Sequence, residues 1–515
     1  MKFKKILMAG AVAITAAGAL STSVLAASNT LTVADRSSYK DWNPAVAFSE
    51  EVRVLGNIYE TLLVLNPAGS AEQFAPGLAT SWSASADGKT WTFNLRKGVT
   101  FHDGSAFNAA AAKKSLDYVK KLGKGAAFIW GALTSVEAKD EHTLVMNFKS
   151  ATAADLIASA QYAAYIIAPA AIDKGHDWMS APNAIGTGPY KLASVEAGQQ
   201  IVMEKHDAYW GGWKDGQFDR VIVKVVSEAA TRVQMLKSGA VDYATVGTDQ
   251  LAGLKAASNV DVFTADSWKN SMFLMNASKY PTDNVKFRKA MQLIWDYENV
   301  VTSIYGGYAK LPVGPLPASM WGAAKFDMPK QDLAAAKQLL ADSGVPQKDW
   351  KVSMQYIGDF KPYADSAELF QATASQLGVT VDLMPGKWGV IWGKAKKLET
   401  SPNLQSMSWW PSYATPNDWL VSLFKTEKKA LFNLSHYSNP AYDKLVEEGM
   451  AVEGSDRPMA IAKFGAAQKI IMDDALAIFY GDISTYRVSA KNVAGMSKNL
   501  NPAYEAVMYY SLTRK

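Results

Sequence analysis

Leu78-Ala-Thr-Ser-Trp-Ser-Ala-Ser-Ala-Asp-Gly-Lys-Thr-Trp-Thr-Phe-Asn-Leu-Arg-Lys-Gly-Val-Thr-Phe-His-Asp-Gly104 carries the strongest local signal in the chain. Its middle, Thr90 to Arg96, alternates outward polar with inward apolar residues, the period of a half-buried strand. Asp87-Gly88 stands just before it. This dipeptide favours a tight turn because glycine takes left-handed backbone angles without steric cost. The pattern predicts a hairpin. Downstream, Ala109 to Lys121 predicts a helix, and Thr143-Leu-Val-Met-Asn-Phe148 a second alternating strand.

The same mixture continues outward. Ile201 to Lys205 and Arg220 to Val226 read as strands, with Gly211-Gly212 and Asp215-Gly216 marking a tight connection between them. Thr231 to Ser238 predicts a helix stopped by Gly239, and Asp332 an N-cap for Leu333 to Ser343, with Gly344 as terminator. Ala364 to Leu377 is a further helix, and Gly378 leads it directly into a strand over Val379 to Met384. Helix, glycine, strand is the grammar of an α/β protein.

The N-terminal 26 residues read as a secretory signal. Lys2, Lys4 and Lys5 precede an apolar run from Ile6 to Leu20, shorter than the roughly 20 residues of a membrane span. Val24 and Ala26 suit a cleavage site before Ala27. The chain has no cysteine, so neither a lipid anchor on a first mature cysteine nor a disulfide is expected. Periplasmic export without an anchor is the expectation. Of the formal charge of +5, three positive charges sit on the lysines of the signal, too little remaining to suggest nucleic acid or an anionic membrane as partner.

No catalytic constellation is visible. The chain lacks a phosphate-binding Gly-rich loop with Lys-Ser/Thr, a GxSxG elbow and any thiol. Asp473-Asp474 and Glu447-Glu448 are adjacent on helices and point in different directions, as solvated surface acids do. The five histidines are scattered, with no HExxH, so neither a metal nor a cofactor is expected. Sixteen tryptophans, 22 tyrosines and 19 phenylalanines are enough for a large core and also for an aromatic-walled ligand cavity.

The quoted stretch closely resembles the signature of the peptide/opine/nickel family of ABC-transporter solute-binding proteins (extracellular solute-binding protein family 5). Further segments resemble the same family in the same order. They are Tyr59-Glu-Thr-Leu62, Gly186-Thr-Gly-Pro-Tyr190, the run from Asp207-Ala-Tyr-Trp210 through Asp242, and Val285 to Pro317 with Gly306-Gly-Tyr and Gly314-Pro-Leu-Pro. The resemblance implies an α/β, two-lobed periplasmic-binding-protein type II fold (class C) with an extra small domain on the first lobe. It places lobe I at 27–266 plus 482–515, the extra subdomain within about 70–185, and lobe II at 267–481. It implies a monomeric receptor, not an enzyme, that holds a small-molecule solute between its lobes and delivers it to a membrane-embedded ABC permease.

The resemblance also nominates site residues. In peptide-binding relatives the segment matching Ser406 to Trp419 supplies an aromatic wall and an aspartate for the peptide amine. Here Trp409, Trp410 and Tyr413 keep the aromatic character, but Ser412 stands at the aspartate's place, and a neutral serine cannot replace an ion-pair partner. Asp418 looks like a helix-cap or turn residue. Phe48, Ser49 and Glu50 match a ligand-contacting first-lobe segment, Glu50 being a substitute amine anchor. Trp268 and Asn270 follow one presumed crossing between lobes, and Asp482 lies at the other. Trp388, Asn433 and Tyr437 complete the candidates. A short peptide is the first expectation for cargo, an oligosaccharide or glycoside the alternative, and a secreted hydrolase a remote third reading.

Overall fold

The computed structural model of the chain describes residues 29–515 except 37, 38, 40, 68, 69 and 71. The export signal expected over residues 1–26 lies outside the described residues. Two large sheets carry the fold. In the seven-stranded one, Thr30–Asp35 runs parallel to Arg220–Val225 on one side and to Tyr243–Ala244 on the other. Gln200–Lys205 and Tyr190–Glu196 extend it beyond Arg220–Val225, and Thr485–Ala490 and Val260–Ala265 extend it the other way. The six-stranded sheet runs Ala309–Lys310, Ala477–Ile483, Asn270–Met275, Leu404–Trp409, Lys351–Ile357, Thr380–Gly386. Asn270–Met275 and Ala477–Ile483 are buried along their whole length, as central strands covered on both faces must be.

The hairpin expected from Asp87-Gly88 forms. Ala79–Ala84 pairs antiparallel with Thr90–Leu95, and Gly88 has φ of 65°. Thr143–Phe148 and Leu133–Asp140 complete a four-stranded sheet of their own. Trp91, Phe93 and Leu95 are buried, while Thr90, Thr92 and Asn94 are not. The Trp91 indole donates to the Thr152 carbonyl at 2.8 Å, so this tryptophan is scaffold. Helix Ala109–Leu122 packs on the sheet, capped by the Asn108 side chain at one end and by Gly123 in the left-handed region at the other.

Element ends differ slightly from the sequence expectation. The helix expected from Ala364 starts at Lys361, because Pro362 is tolerated in a first turn whose N–H groups have no helical partner. The strand after Gly378 runs Thr380–Gly386. The helix expected over Thr231 to Ser238 spans Ala229–Lys237. Asp332 caps Leu333–Asp342 as expected, accepting from the Ala335 N–H at 2.9 Å.

The chain passes between the large sheets twice, and the two passages lie side by side. Val260–Ala265 belongs to the first sheet and Asn270–Met275 to the second; the return runs from Ala477–Ile483 to Thr485–Ala490. Ala265 pairs with Thr485 and Asn270 with Asp482. Between those pairs the Ile483 N–H donates to the Lys269 carbonyl at 2.8 Å, and the Ser267 hydroxyl donates to the Ile483 carbonyl.

Gly186 and Gly188 show why the Gly186-Thr-Gly segment uses glycine. A Cβ on Gly186 would lie 2.1 Å from the Ile58 carbonyl oxygen, and one on Gly188 would lie 2.7 Å from it. That carbonyl accepts the Gly188 N–H at 2.9 Å and cannot turn away. Gly186→Ala is therefore expected to destabilise the protein by about 3 kcal/mol through overpacking against backbone. Chemical denaturation measures this; a loss below about 0.5 kcal/mol, the range of an ordinary surface change, would contradict it.

Candidate functional site

Rings from both bodies meet beside the crossing. Phe48, just ahead of helix Val52–Ile58, stands edge-on to Tyr162 at 5.4 Å, to Phe128 at 5.9 Å and to Phe432 at 6.3 Å. Phe432 in turn meets Trp409 edge-on at 4.9 Å and stacks on Trp392 at 5.6 Å, and Trp392 stacks on Trp388 at 6.3 Å. Trp410 closes a second contact, its indole donating to the Tyr162 hydroxyl at 3.1 Å. Phe48, Phe128 and Tyr162 pack with the seven-stranded body; Phe432, Trp392 and Trp388 pack with the six-stranded one. Trp388, Trp392, Phe432 and Trp410 are half-buried. Phe128, Tyr162, Trp392 and Phe432 were not foreseen. Each sits in an unremarkable stretch of sequence and becomes part of the wall only through long-range folding.

The segment after Leu404–Trp409 is held by Asp418. Its carboxylate accepts the Ser412 N–H at 2.8 Å and the Trp409 indole N–H at 3.3 Å. Asp418 sits in the first turn of helix Asn417–Phe424 and is 2% exposed. The expected cap or turn residue is thus a buried brace that shapes the aromatic segment from within. Burial pushes its carboxyl up to about 7, against the pull of the Ser412 and Trp409 donors. Tyr413 donates to Asn417 at 2.7 Å in the same turn. Leu65, Ser159 to Tyr162 and Tyr504 line one small cavity together with Pro411 to Ala414.

Several nominated residues are engaged elsewhere. Asn270 is fully buried, donating to the Pro315 carbonyl at 2.9 Å and accepting from the Trp419 indole at 3.0 Å. Trp268 is 6% exposed and donates to the Ser319 carbonyl. Successive strand side chains point to opposite faces, so Lys269, between these two, faces the other way and lies over the Trp410 ring, 5.2 Å from its centroid. At the crossing, Trp268 and Asn270 are buried in the second body, and Lys269 lies against the Trp410 ring. Asn433 spends its amide on the Lys425 and Tyr437 carbonyls, and Tyr437 donates to Asp474, so both serve loop packing. Trp409 is 6% exposed and belongs to the core of the six-stranded body.

The charged candidates are paired within the protein. Glu50 meets Arg36 and, at 3.1 Å, Arg53, which also reaches Asp35 at 3.3 Å and Glu505 at 3.5 Å. Glu50 therefore lies between two guanidinium groups, a poor place for a ligand amine. The exposed Ser49 accepts from the Tyr162 hydroxyl on its carbonyl at 3.4 Å. Asp482 is 8% exposed, accepts the Ala318 N–H at 2.8 Å, and is pushed up to about 7 by burial. Burial alone would raise Glu505, but Lys269, Arg53 and Arg487 together hold its carboxyl below the ordinary value.

Residues 73–430 match the family described as bacterial extracellular solute-binding proteins, family 5. The chain belongs to this family. Proteins of this family are transport receptors, not enzymes. Among curated relatives, the chain is 31% identical over 445 residues to the probable D,D-dipeptide-binding periplasmic protein DdpA of Escherichia coli K12, covering 84% of this chain and 83% of the relative. Among solved structures, the fold matches the periplasmic binding protein DppA of Helicobacter pylori in complex with the peptide STSA, with a TM-score of 0.80, 23% identity, and 94% and 98% of the two chains covered. It also matches NikA of Brucella suis in complex with Fe(III)-EDTA, with a TM-score of 0.84, 21% identity, and 94% and 100% covered. The fold of this solute-binding protein is the two-lobed α/β architecture of these structures.

Two outcomes follow from the buried brace. An unfolded aspartate ionises near about 4, so between about pH 4 and 7 the unfolded state gains from ionising Asp418 while the folded state does not. This group's contribution to stability falls as pH rises through that window and is level above it. Asp418→Asn removes the dependence, so its midpoint relative to wild type should shift in the variant's favour between pH 5 and pH 8; a pH-independent difference would count against the assignment. Trp409→Ala should cost about 3 kcal/mol of stability, as loss of a core aromatic does, read from denaturant midpoints; a loss under about 1 kcal/mol would place the ring outside the core.

Proposed function

We propose that this chain is a monomeric periplasmic receptor that captures a short peptide or peptide-like solute between its lobes and delivers it to an ABC permease. The observation that carries the reading is the meeting of Phe48 and Tyr162 from one body with Phe432 and Trp410 from the other. A solute at this seam touches both bodies only when they are closed, so it stabilises the closed state by differential contact. The paired crossing over 265–270 and 482–485 serves as the hinge. With that hinge, lobe I takes 27–266 plus 482–515, with the extra subdomain within about 70–185, and lobe II takes 267–481. The signal over residues 1–26 directs export, and with no cysteine in the chain the mature protein has no lipid anchor.

The names of the relatives support a peptide as cargo, since one is described as D,D-dipeptide-binding and another is solved with a bound peptide. Ser412 and the paired Glu50 together favour a peptide held by its backbone and by its side chains against the rings. A second reading has its own observation. Trp388, Trp392 and Phe432 stack at interplanar angles of 15° and 21°, forming a flat half-buried face of the kind that suits a pyranose ring.

Native mass spectrometry of the gently purified protein, with identification of the released molecule, decides between these. A peptide or peptide ladder upholds the first reading, and a hexose-spaced adduct replaces it with the second. Phe432→Ala should weaken the identified cargo by on the order of 2 kcal/mol, as loss of a central aromatic contact does. Unchanged affinity in the folded variant, by calorimetry, would move the cargo away from this seam.

A further inference from the structure

Charged side chains gather where the crossing meets the aromatic seam. Among the described residues they include the acids Asp35, Glu50 and Glu505 and the cations Arg36, Arg53, Lys269 and Arg487. Arg53 and Arg36 are paired to the acids directly. Lys269 and Arg487 are not. Arg487, 8% exposed, donates to the Tyr486, Tyr504 and Glu505 carbonyls and the Thr485 hydroxyl, and its Nε is buried without a partner among the described residues. The Lys269 ammonium has no acceptor within hydrogen-bonding distance among the described residues, its near neighbour being the Trp410 ring.

We propose that Lys269, at the crossing between the lobes, binds a carboxylate of the cargo beside the Trp410 ring, so that a peptide is anchored by its acid end and not by its amine. The proposal rests on the reading of the seam as the solute site. A partly buried ammonium without a hydrogen-bond acceptor is costly, and a carboxylate placed against it forms a charge-assisted hydrogen bond. Burial holds the Lys269 ammonium below its ordinary pKa, with Arg36 and Arg53 adding to the shift against the opposing pull of Glu505 and Glu50, so an added anion is favoured there. At the places nominated for the amine end, Ser412 is neutral, Glu50 is shared by two arginines, and Asp418 is turned to its own backbone. The position also explains how binding reports to the hinge, since the Lys269 carbonyl accepts the hydrogen bond that ties the two crossing strands together.

The test compares one peptide mixture, a casein digest, in three forms: untreated, N-acetylated, and amidated at its carboxyl groups. Each is titrated against the purified full chain by thermal shift, and bound species are identified by mass spectrometry. The untreated and acetylated digests should stabilise the protein alike, and the amidated digest should not. Lys269→Met should weaken the untreated peptides by at least about 30-fold, with Lys269→Arg restoring most of the affinity. Stabilisation by the amidated digest equal to that of the untreated one, or loss with acetylation alone, overturns the proposal using wild-type protein only. If no form stabilises the protein, the peptide reading falls instead. Oligogalacturonate against neutral oligogalactoside then decides the anion site: preference for the acid upholds it, and equal binding or no binding of either overturns it.

Discussion

The constraint on which the rest depends is the pair of strands that cross together from one sheet to the other. Hydrogen bonds join Asn270–Met275 to Ala477–Ile483 in one sheet and Val260–Ala265 to Thr485–Ala490 in the other, so the passages between them cannot drift apart. Two antiparallel strands have few soft backbone angles between Ala265 and Asn270, and each peptide unit is itself rigid. On the proposed hinge, relative motion of the two sheets is confined to the short stretch around Ser267, Lys269 and Ser484. Every residue at the seam is placed with respect to that axis.

Close to the axis, the side chains divide by strand alternation. Trp268 and Asn270 turn into the second body, where they are satisfied by Ser319, Pro315 and Trp419. Lys269 turns toward the first body and its acids. The aromatic wall stands farther out and is braced from beneath, as Asp418 ties the Ser412 backbone to the Trp409 indole. A buried carboxyl used in this way costs stability when ionised, and it is held where a backbone N–H and an indole N–H both need an acceptor. In the proposed receptor, apolar walls bind broadly and a few charges near the axis select.

The hairpin at Asp87-Gly88, the capped helix after Asp332 and the alternating strands were legible because turn chemistry and side-chain period are local. Family resemblance reached further, giving the two-lobed architecture from segments spread along the chain. The site was legible only in part. Phe48, Trp388 and Trp410, nominated from the sequence, lie along one line of rings with Tyr162, Trp392 and Phe432, which are single rings with no local mark. An aromatic beside a crossing reads the same from either face of a strand, so the sequence left Trp268 open between core and cavity; it packs in the core. The difference is one residue of register, and register is decided by pairing with distant strands.

By itself the sequence determined the local elements, the lack of any disulfide or thiol chemistry, and the family whose fold the chain adopts. These follow from residue type and near-neighbour spacing, which a linear sequence states outright. Only the tertiary structure decided that Arg36 and Arg53 both pair with Glu50, that Asp418 faces its own backbone, and that Lys269 has no hydrogen-bond acceptor among the described residues. Those outcomes depend on segments separated by hundreds of residues, from Asp35 to Glu505, arriving at one place. Charge balance is a property of that place and not of any stretch of chain.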